Sequence, residues 1–113
     1  MNFSIQKSES HTCLSVKDEN LDAAIAPGFK SELVLMIENG EKNILVDLSG
    51  CRQCDSSGMS ALLLGERLCR GVNGRFVVYC LPGTIKEKLD LARIDSLMLL
   101  ADNRVQAEKY FLK

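Results

Sequence analysis

The sequence predicts an α/β fold in which a mixed, largely parallel sheet of about five strands, with an N-terminal hairpin, packs against about four helices. Two observations lead to this prediction. Apolar residues alternate with polar ones at the N-terminus but recur at helical spacing after Pro27. From there onward short apolar runs alternate with helical stripes, a pattern that builds parallel sheets through right-handed crossovers. The 113 residues suffice for one core, so we expect a single domain over residues 1–113.

The first elements are the two strands of the hairpin and a helix. Residues 3–8 and 12–17 each alternate apolar and polar side chains, and polar residues separate the two segments. A first helix is expected over residues 27–39, where the apolar positions are three or four apart or adjacent: Phe29, Leu33, Met36 and Ile37. Pro27 suits the first helical turn, and the Asn-Gly pair after the stripe suits its end.

The middle of the chain predicts two buried strands with a helix between them. Residues 44–48 and 76–80 are almost wholly apolar, as expected for strands that are covered on both faces of a parallel sheet. Between them a helical stripe predicts a second helix, with these residues on its buried side: Met59, Leu62, Leu63 and Leu68. Glycines at positions 71 and 74 predict the end of that helix.

The last third of the chain predicts a third helix, a fifth strand and a fourth helix. Thr84 and Glu87 form a capping box, a pattern in which two side chains bond free backbone N–H groups at the start of a helix. The buried side of this helix is expected to comprise Ile85, Leu89 and Ala92. Residues 96–101 predict the last strand, and the Asp-Asn pair at 102–103 can cap the last helix.

Composition and charge exclude several classes of function. Charged residues make up 26% of the chain and balance to a net charge of −1, without a basic stripe, so direct binding of nucleic acid is not expected. Apolar runs are too short to cross a bilayer and the N-terminus lacks a secretory signal, so we expect a cytoplasmic protein without membrane insertion. The glycines at 65, 71 and 74 form no phosphate-binding loop, and we expect no cofactor.

The cysteines and the single histidine are expected to be structural residues. Five scattered cysteines among apolar neighbours suit reduced, buried thiols better than disulfides. Cys51 and Cys54 form a C-x-x-C and leave a thiol redox protein as an alternative. We favour core packing for them, because a catalytic pair would open a helix and a zinc site needs further ligands. His11 lies beside the hairpin turn, and we expect an ordinary surface residue rather than part of a hydrolase triad.

A polar segment between the first buried strand, residues 44–48, and the second helix is the candidate functional site. Asp55-Ser56-Ser57-Gly58 opens the helix, so it lies at the carboxyl end of the parallel strands, where α/β proteins place their sites. Asp55 or Ser56 can serve as an ordinary N-cap. Three small polar residues followed by glycine also leave a flat surface close to the backbone, which suits docking by a partner protein.

The sequence resembles the STAS domain of bacterial anti-sigma factor antagonists. The resemblance depends on the 44–50 strand segment, on the Asp55-Ser56-Ser57-Gly58-Met59 turn and on the 74–78 strand. It extends to Leu21-Asp22 before the first helix and to the terminal helix. The aspartate-serine-serine-glycine turn is the specific part of this likeness. The resemblance implies a protein-binding switch that is not an enzyme.

The resemblance also implies roles for individual residues. Ser57 matches the serine that a partner phosphorylates, and that partner is at once a serine kinase and an anti-sigma factor. Unphosphorylated protein would bind the kinase, phosphorylated protein would release it, and a serine phosphatase would reset the cycle. The partner-binding surface would comprise Asp22, Asp55, Ser56, Ser57, Gly58 and Met59, on a chain that we expect to be monomeric. A STAS subunit of a transporter or of another signalling complex is the alternative.

Overall fold

The computed structural model describes residues 2–83, 85–91, 93 and 97–112. Its strands are β1 (Phe3–Lys7), β2 (Thr12–Val16), β3 (Asn20–Leu21), β4 (Ile44–Asp47), β5 (Gln53–Cys54), β6 (Phe76–Tyr79) and β7 (Leu99–Ala101). Its helices are α1 (Ala26–Glu38), α2 (Ser56–Gly71), α3 (Lys86–Leu91) and α4 (Arg104–Lys109). The predicted elements therefore occur in the predicted order, with one additional pair of very short strands.

Five strands form one mixed sheet in the order β1-β2-β4-β6-β7. The hairpin strands β1 and β2 are antiparallel, whereas β2, β4, β6 and β7 run parallel. The register places Leu14 beside Val46 and Val46 beside Val78, so the apolar centres of the inner strands lie in one row. This arrangement confirms the largely parallel sheet with an antiparallel strand at one edge.

The two faces of the sheet are covered by different helices. Leu14, Val46 and Val78 belong to the larger buried cluster, which also holds residues of α1 and α2. The alternate strand residues point the other way and form a smaller cluster with Ala107 of α4: Cys13, Leu45, Val77 and Ala101. Each inner strand is thus buried on both faces, which is why its sequence is almost continuously apolar.

Helix boundaries follow the capping signals in the described residues. Pro27 lies in the first turn of α1, and Gly40 beyond its end has a φ of 94°, a left-handed conformation that favours glycine. Asn103 caps α4 by accepting a hydrogen bond from the backbone N–H of Gln106 at 2.8 Å. Ile85 and Leu89 are fully buried, as predicted for the third helix. The predictions for Thr84, Ala92 and Ser96 concern residues outside the described part of the chain.

The prediction that His11 is a surface residue is wrong. Its side chain is only 9% exposed, and its ring stacks on Phe111 with the centroids 4.6 Å apart. The hydroxyl of Ser10 lies 2.8 Å from the imidazole Nδ1. Phe111, just beyond α4, closes over the hairpin turn, a long-range contact that the local sequence of the turn does not indicate. Burial lowers the pKa of His11; nearby Glu108 raises it and Arg104 lowers it further.

Among the described residues, none of the helices is long and apolar enough to cross a membrane.

Candidate functional site

A pair of two-residue strands builds the candidate site. Strand β3 pairs with β5 in parallel, with Leu21 beside Cys54. The backbone N–H of Asp55 donates to the carbonyl oxygen of Leu21 at 3.3 Å and continues the pairing by one residue. Asp22 directly follows β3 and Asp55 directly follows β5. Because the two strands are parallel, both aspartates lie at the same end of the strand pair.

The side chain of Asp55 caps helix α2. Its carboxylate accepts a hydrogen bond from the backbone N–H of Gly58 at 3.0 Å, and its backbone is extended, with φ −93° and ψ −171°. The carbonyl oxygen of Asp55 accepts the first helical bond, from Met59, at 2.9 Å. The carboxylate thus satisfies one of the backbone donors that a helix leaves free at its start.

Gly58 lets the first turn of α2 pack directly against β3. A Cβ atom at this position would lie 2.7 Å from Sγ of Cys54 and closer still to the carbonyl oxygen of Leu21. Any side chain here would separate α2 from β3. The glycine of the Asp-Ser-Ser-Gly segment is therefore required for the close packing of α2 on the strand pair, and this packing fixes how near the two serines lie to β3.

Asp22 forms the opposite side of the site. Its carboxylate accepts hydrogen bonds from the backbone N–H groups of Ala24, at 3.0 Å, and Ile25, at 3.3 Å, in the turn that leads into α1. These bonds hold the side chain close to β3 and β5. A depression of about 290 Å³ lies between the two acidic residues and is lined by Asn20, Asp22, Gln53, Cys54, Asp55 and Lys88.

The predicted site residues lie directly after β3 or at the start of α2, and they differ in exposure. Asp55 and Ser56 are exposed, whereas Asp22, Ser57 and Met59 are half-buried and Gly58 is buried. Within the described residues, the side chain that caps this helix start is that of Asp55, and the hydroxyls of Ser56 and Ser57 do not cap it. Ser57, at the second position of α2, is half-buried and takes no part in the cap.

Sequence reasoning missed three residues of this surface. Asn20 and Gln53 face the depression because of the β3–β5 pairing, and a two-residue strand is too short to show a periodic pattern. Lys88 reaches the depression from α3 and brings a positive charge near the two carboxylates. The placement of α3 over this edge depends on tertiary packing, so no local signal marked Lys88.

Cys51 and Cys54 lie in the core beneath the site, as predicted. Cys51 is 0% exposed and Cys54 is 2% exposed. Burial raises the pKa of the Cys51 thiol, and burial together with the neighbouring Cys51 and Asp55 raises that of Cys54 to about 12. Such thiols hold little thiolate, the reactive form, at neutral pH. Within the described residues, moreover, no cluster of three or more His, Cys, Asp or Glu side chains is arranged to hold a metal ion.

Known proteins resemble this chain in sequence and in fold. A family model described as "Mlab, STAS domain" matches residues 3–101. BtrV of Bordetella bronchiseptica, which carries the name of an anti-sigma factor antagonist, is 25% identical over 91 residues, a stretch that covers 80% of this chain and 78% of BtrV. The structure of an anti-sigma factor antagonist from Mycobacterium paratuberculosis is similar with a TM-score of 0.87 at 16% identity, over 98% of this chain and 93% of that one.

A second similar structure is that of the Bacillus cell fate determinant SpoIIAA in its phosphorylated form. It has a TM-score of 0.71 at 16% identity and covers 96% of this chain and 98% of that one. At these identities the structural likenesses show a common fold. Because the family model spans nearly the whole chain, the chain belongs to the STAS domain family.

Proposed function

We propose that this chain is an anti-sigma factor antagonist, a protein-binding switch that sequesters a serine-kinase anti-sigma factor while Ser57 is unphosphorylated. The relatives with this name support the general role. In this proposal the chain is the substrate of the kinase and not a catalyst. It acts in the cytoplasm, and a serine phosphatase restores its binding-competent form.

The β3–β5 pairing is the observation that carries this proposal. It brings Asp22 beside the start of α2, although the two segments are far apart in sequence. The resulting surface combines two carboxylates with a half-exposed serine at a helix N-terminus. Carboxylates suit recognition of a basic group on the partner, and the accessible hydroxyl suits phosphoryl transfer within the same complex.

The local electrostatics support a switch that changes binding and leaves the fold intact. A phosphate on Ser57 adds a charge of about −1.5 to −2 beside Asp55, so a partner surface matched to the unmodified site meets bulk and excess negative charge. The free backbone N–H groups and the dipole at the start of α2 favour an anion at this position. SpoIIAA, whose fold is similar, has been solved in a phosphorylated form, which supports the compatibility of this fold with a phosphate.

The proposal is tested by capturing partners from a lysate of the native host on wild-type protein and on Ser57→Ala and Ser57→Asp variants. Mass spectrometry identifies the partners and maps any phosphate. We expect a kinase-type partner to bind wild type and Ser57→Ala and to be lost with Ser57→Asp, and the phosphate to map to Ser57. Affinities are then measured with the purified partner.

Matched controls separate a specific switch from a general effect of charge. Ser60→Asp adds the same charge at an exposed serine one turn further along α2, and we expect it to retain the partner. Ser56→Asp tests whether the neighbouring serine is equivalent. Equal loss of binding in all three aspartate variants, or a phosphate that maps elsewhere, would contradict the assignment of Ser57.

The alternatives give different outcomes in the same experiments. Capture of a membrane-complex partner that ignores Ser57 would support a STAS subunit of a transporter or of another signalling complex. A thiol redox protein would contain thiols that react in the folded state. Because Cys51 and Cys54 are buried, we expect a thiol reagent to modify them only after unfolding.

A further inference from the structure

The outer edge of β1 is unpaired among the described residues, since β1 is the terminal strand of the sheet. Its inner edge bonds to β2 through alternate residues. The backbone N–H of Lys17 donates to the carbonyl oxygen of Asn2 at 2.7 Å, and that of Ser8 donates to the carbonyl oxygen of His11 at 2.9 Å. In an antiparallel ladder the even-numbered residues of β1 therefore bond to β2, and the backbone groups of Phe3, Ile5 and Lys7 point away from the sheet.

The side chains of these three residues share the face of the sheet that α1 covers. Phe3 is held there by the ring of Phe29 on α1, with the centroids 6.1 Å apart. Ile5, the next residue on this face, is 49% exposed. A groove of about 410 Å³ runs beside it and is lined by Asn2, Phe3, Ser4, Ile5 and Glu32. The edge thus offers free backbone bonds, an exposed apolar side chain and an adjoining groove.

We propose that β1 is the interface of a two-fold symmetric homodimer, in which the β1 strands of two copies pair antiparallel with Ile5 opposite Ile5. This register places Phe3 opposite the second copy's Lys7. It is the register that engages the outward N–H and C=O groups of all three residues, and the two main sheets become one continuous sheet. The two exposed isoleucine side chains meet on the symmetry axis.

The charges at this edge are complementary to a second copy. Among the residues that line the groove, Glu32 carries the charge, and it shares the groove with Phe3. A residue placed opposite Phe3 therefore lies close to Glu32. Since Lys7 of the second copy lies opposite Phe3, its ammonium group approaches the carboxylate of Glu32, and symmetry repeats the contact. Lys7 is now paired with Glu41 at 3.0 Å, but its side chain is 71% exposed and such surface pairs hold side chains weakly. The chain is then not the monomer that the sequence suggested.

Cysteine cross-linking tests the register directly, because all five native cysteines are buried. In the proposed dimer the two Ile5→Cys thiols lie on a hydrogen-bonded pair with Cα atoms about 5.5 Å apart, a separation that a disulfide spans. Gln6→Cys is the matched control, at an exposed residue of the same strand that has no part in the proposed contacts. Its two Cα atoms would lie two residues apart along the strands, roughly 8 Å from each other, which a disulfide does not span. We expect a covalent dimer with mild oxidant for Ile5→Cys and not for Gln6→Cys.

Sedimentation equilibrium over a wide concentration range tests the association itself. Ile5→Asp places like charges face to face, and we expect it to weaken self-association by at least about tenfold. Glu32→Lys and Lys7→Glu should each weaken it, and the double variant should restore it. Circular dichroism checks that each variant is folded. The proposal would be overturned if wild type stayed monomeric at every concentration, even if β1 instead paired with a strand of another protein. Equal cross-linking of the two cysteine variants would also overturn it.

Discussion

The backbone of Gly58 packs so closely against the carbonyl oxygen of Leu21 that a side-chain carbon cannot fit between them. This contact joins the first turn of α2 to strand β3. Through β3 it also fixes where Asp22 stands relative to the two serines. The geometry of the candidate site therefore depends on a residue that has no side chain of its own.

Replacement of Gly58 by alanine is expected to destabilise the fold by about 1–3 kcal/mol, the usual cost of overpacking. The new methyl group would meet the Leu21 backbone and Sγ of Cys54, and a backbone atom cannot turn aside as a flexible side chain can. The gain in helix propensity from glycine to alanine, up to about 1 kcal/mol, offsets only part of this cost. Urea denaturation measures the change in the free energy of unfolding.

Gly71→Ala is the matched control in the same helix. A Cβ atom at Gly71, the last residue of α2, would meet open space. We expect its free energy of unfolding to be unchanged or raised by up to about 1 kcal/mol. Equal destabilisation by the two substitutions would show that the Leu21 contact is not the cause.

The cap formed by Asp55 predicts different effects for two substitutions. Asp55→Ala removes the acceptor for the Gly58 N–H and should cost about 0.5–2 kcal/mol of stability. Asp55→Asn keeps a good N-cap but loses the negative charge, so its stability should remain close to that of wild type. If the charge serves partner recognition, Asp55→Asn should weaken binding of the partner captured with wild type. Thermal unfolding and binding measured on the same samples separate the two roles.

The strands and helices that the sequence predicted are those with enough residues to show a period. The two inner strands are apolar throughout because helices cover both faces, and the stripes of α1 and α2 mark their buried sides. The Asp-Ser-Ser-Gly segment was recognisable because an N-cap and a helix start have local signatures.

The features that the sequence could not predict are contacts between segments distant in the chain. The pairing of Leu21 with Cys54 joins two strands too short to carry a pattern. His11 is buried because Phe111, from the other end of the chain, stacks on it. Lys88 faces the candidate site only because α3 packs over that edge. Each depends on tertiary packing, which composition and spacing do not encode locally.

The buried His11 predicts a loss of stability in mild acid. Burial lowers its pKa in the folded state below the ordinary 6.5, so the unfolded chain takes up the proton first as the pH falls. The stabilisation is fully present above pH 6.5 and is lost as the pH drops through the lower folded value. We expect wild type to lose more stability between about pH 7 and pH 5 than His11→Phe, which keeps a ring against Phe111 but cannot titrate.

Urea denaturation at the two pH values checks this expectation. Phe111→Ala serves as the second control, because it removes the stack and retains the histidine. It should lower the stability at neutral pH and reduce the difference between the two pH values, since His11 then becomes more exposed. Parallel pH dependences in wild type and His11→Phe would assign the acid sensitivity to other groups.

The buried thiols predict the opposite behaviour in alkali. Burial, the largest cause in each case, raises the pKa of Cys54 and Cys69 from 9.0 to about 12 and that of Cys80 to about 11. Above pH 9 the unfolded chain releases protons that the folded chain keeps, so stability falls with rising pH by up to about 1.4 kcal/mol per pH unit for each thiol. Cys80→Ala should show a shallower decline between about pH 8 and pH 10 than wild type, because one of these thiols is gone. Since the two proteins differ at this residue alone, the comparison of slopes isolates its effect, and identical slopes would show that Cys80 does not keep its proton in the folded state.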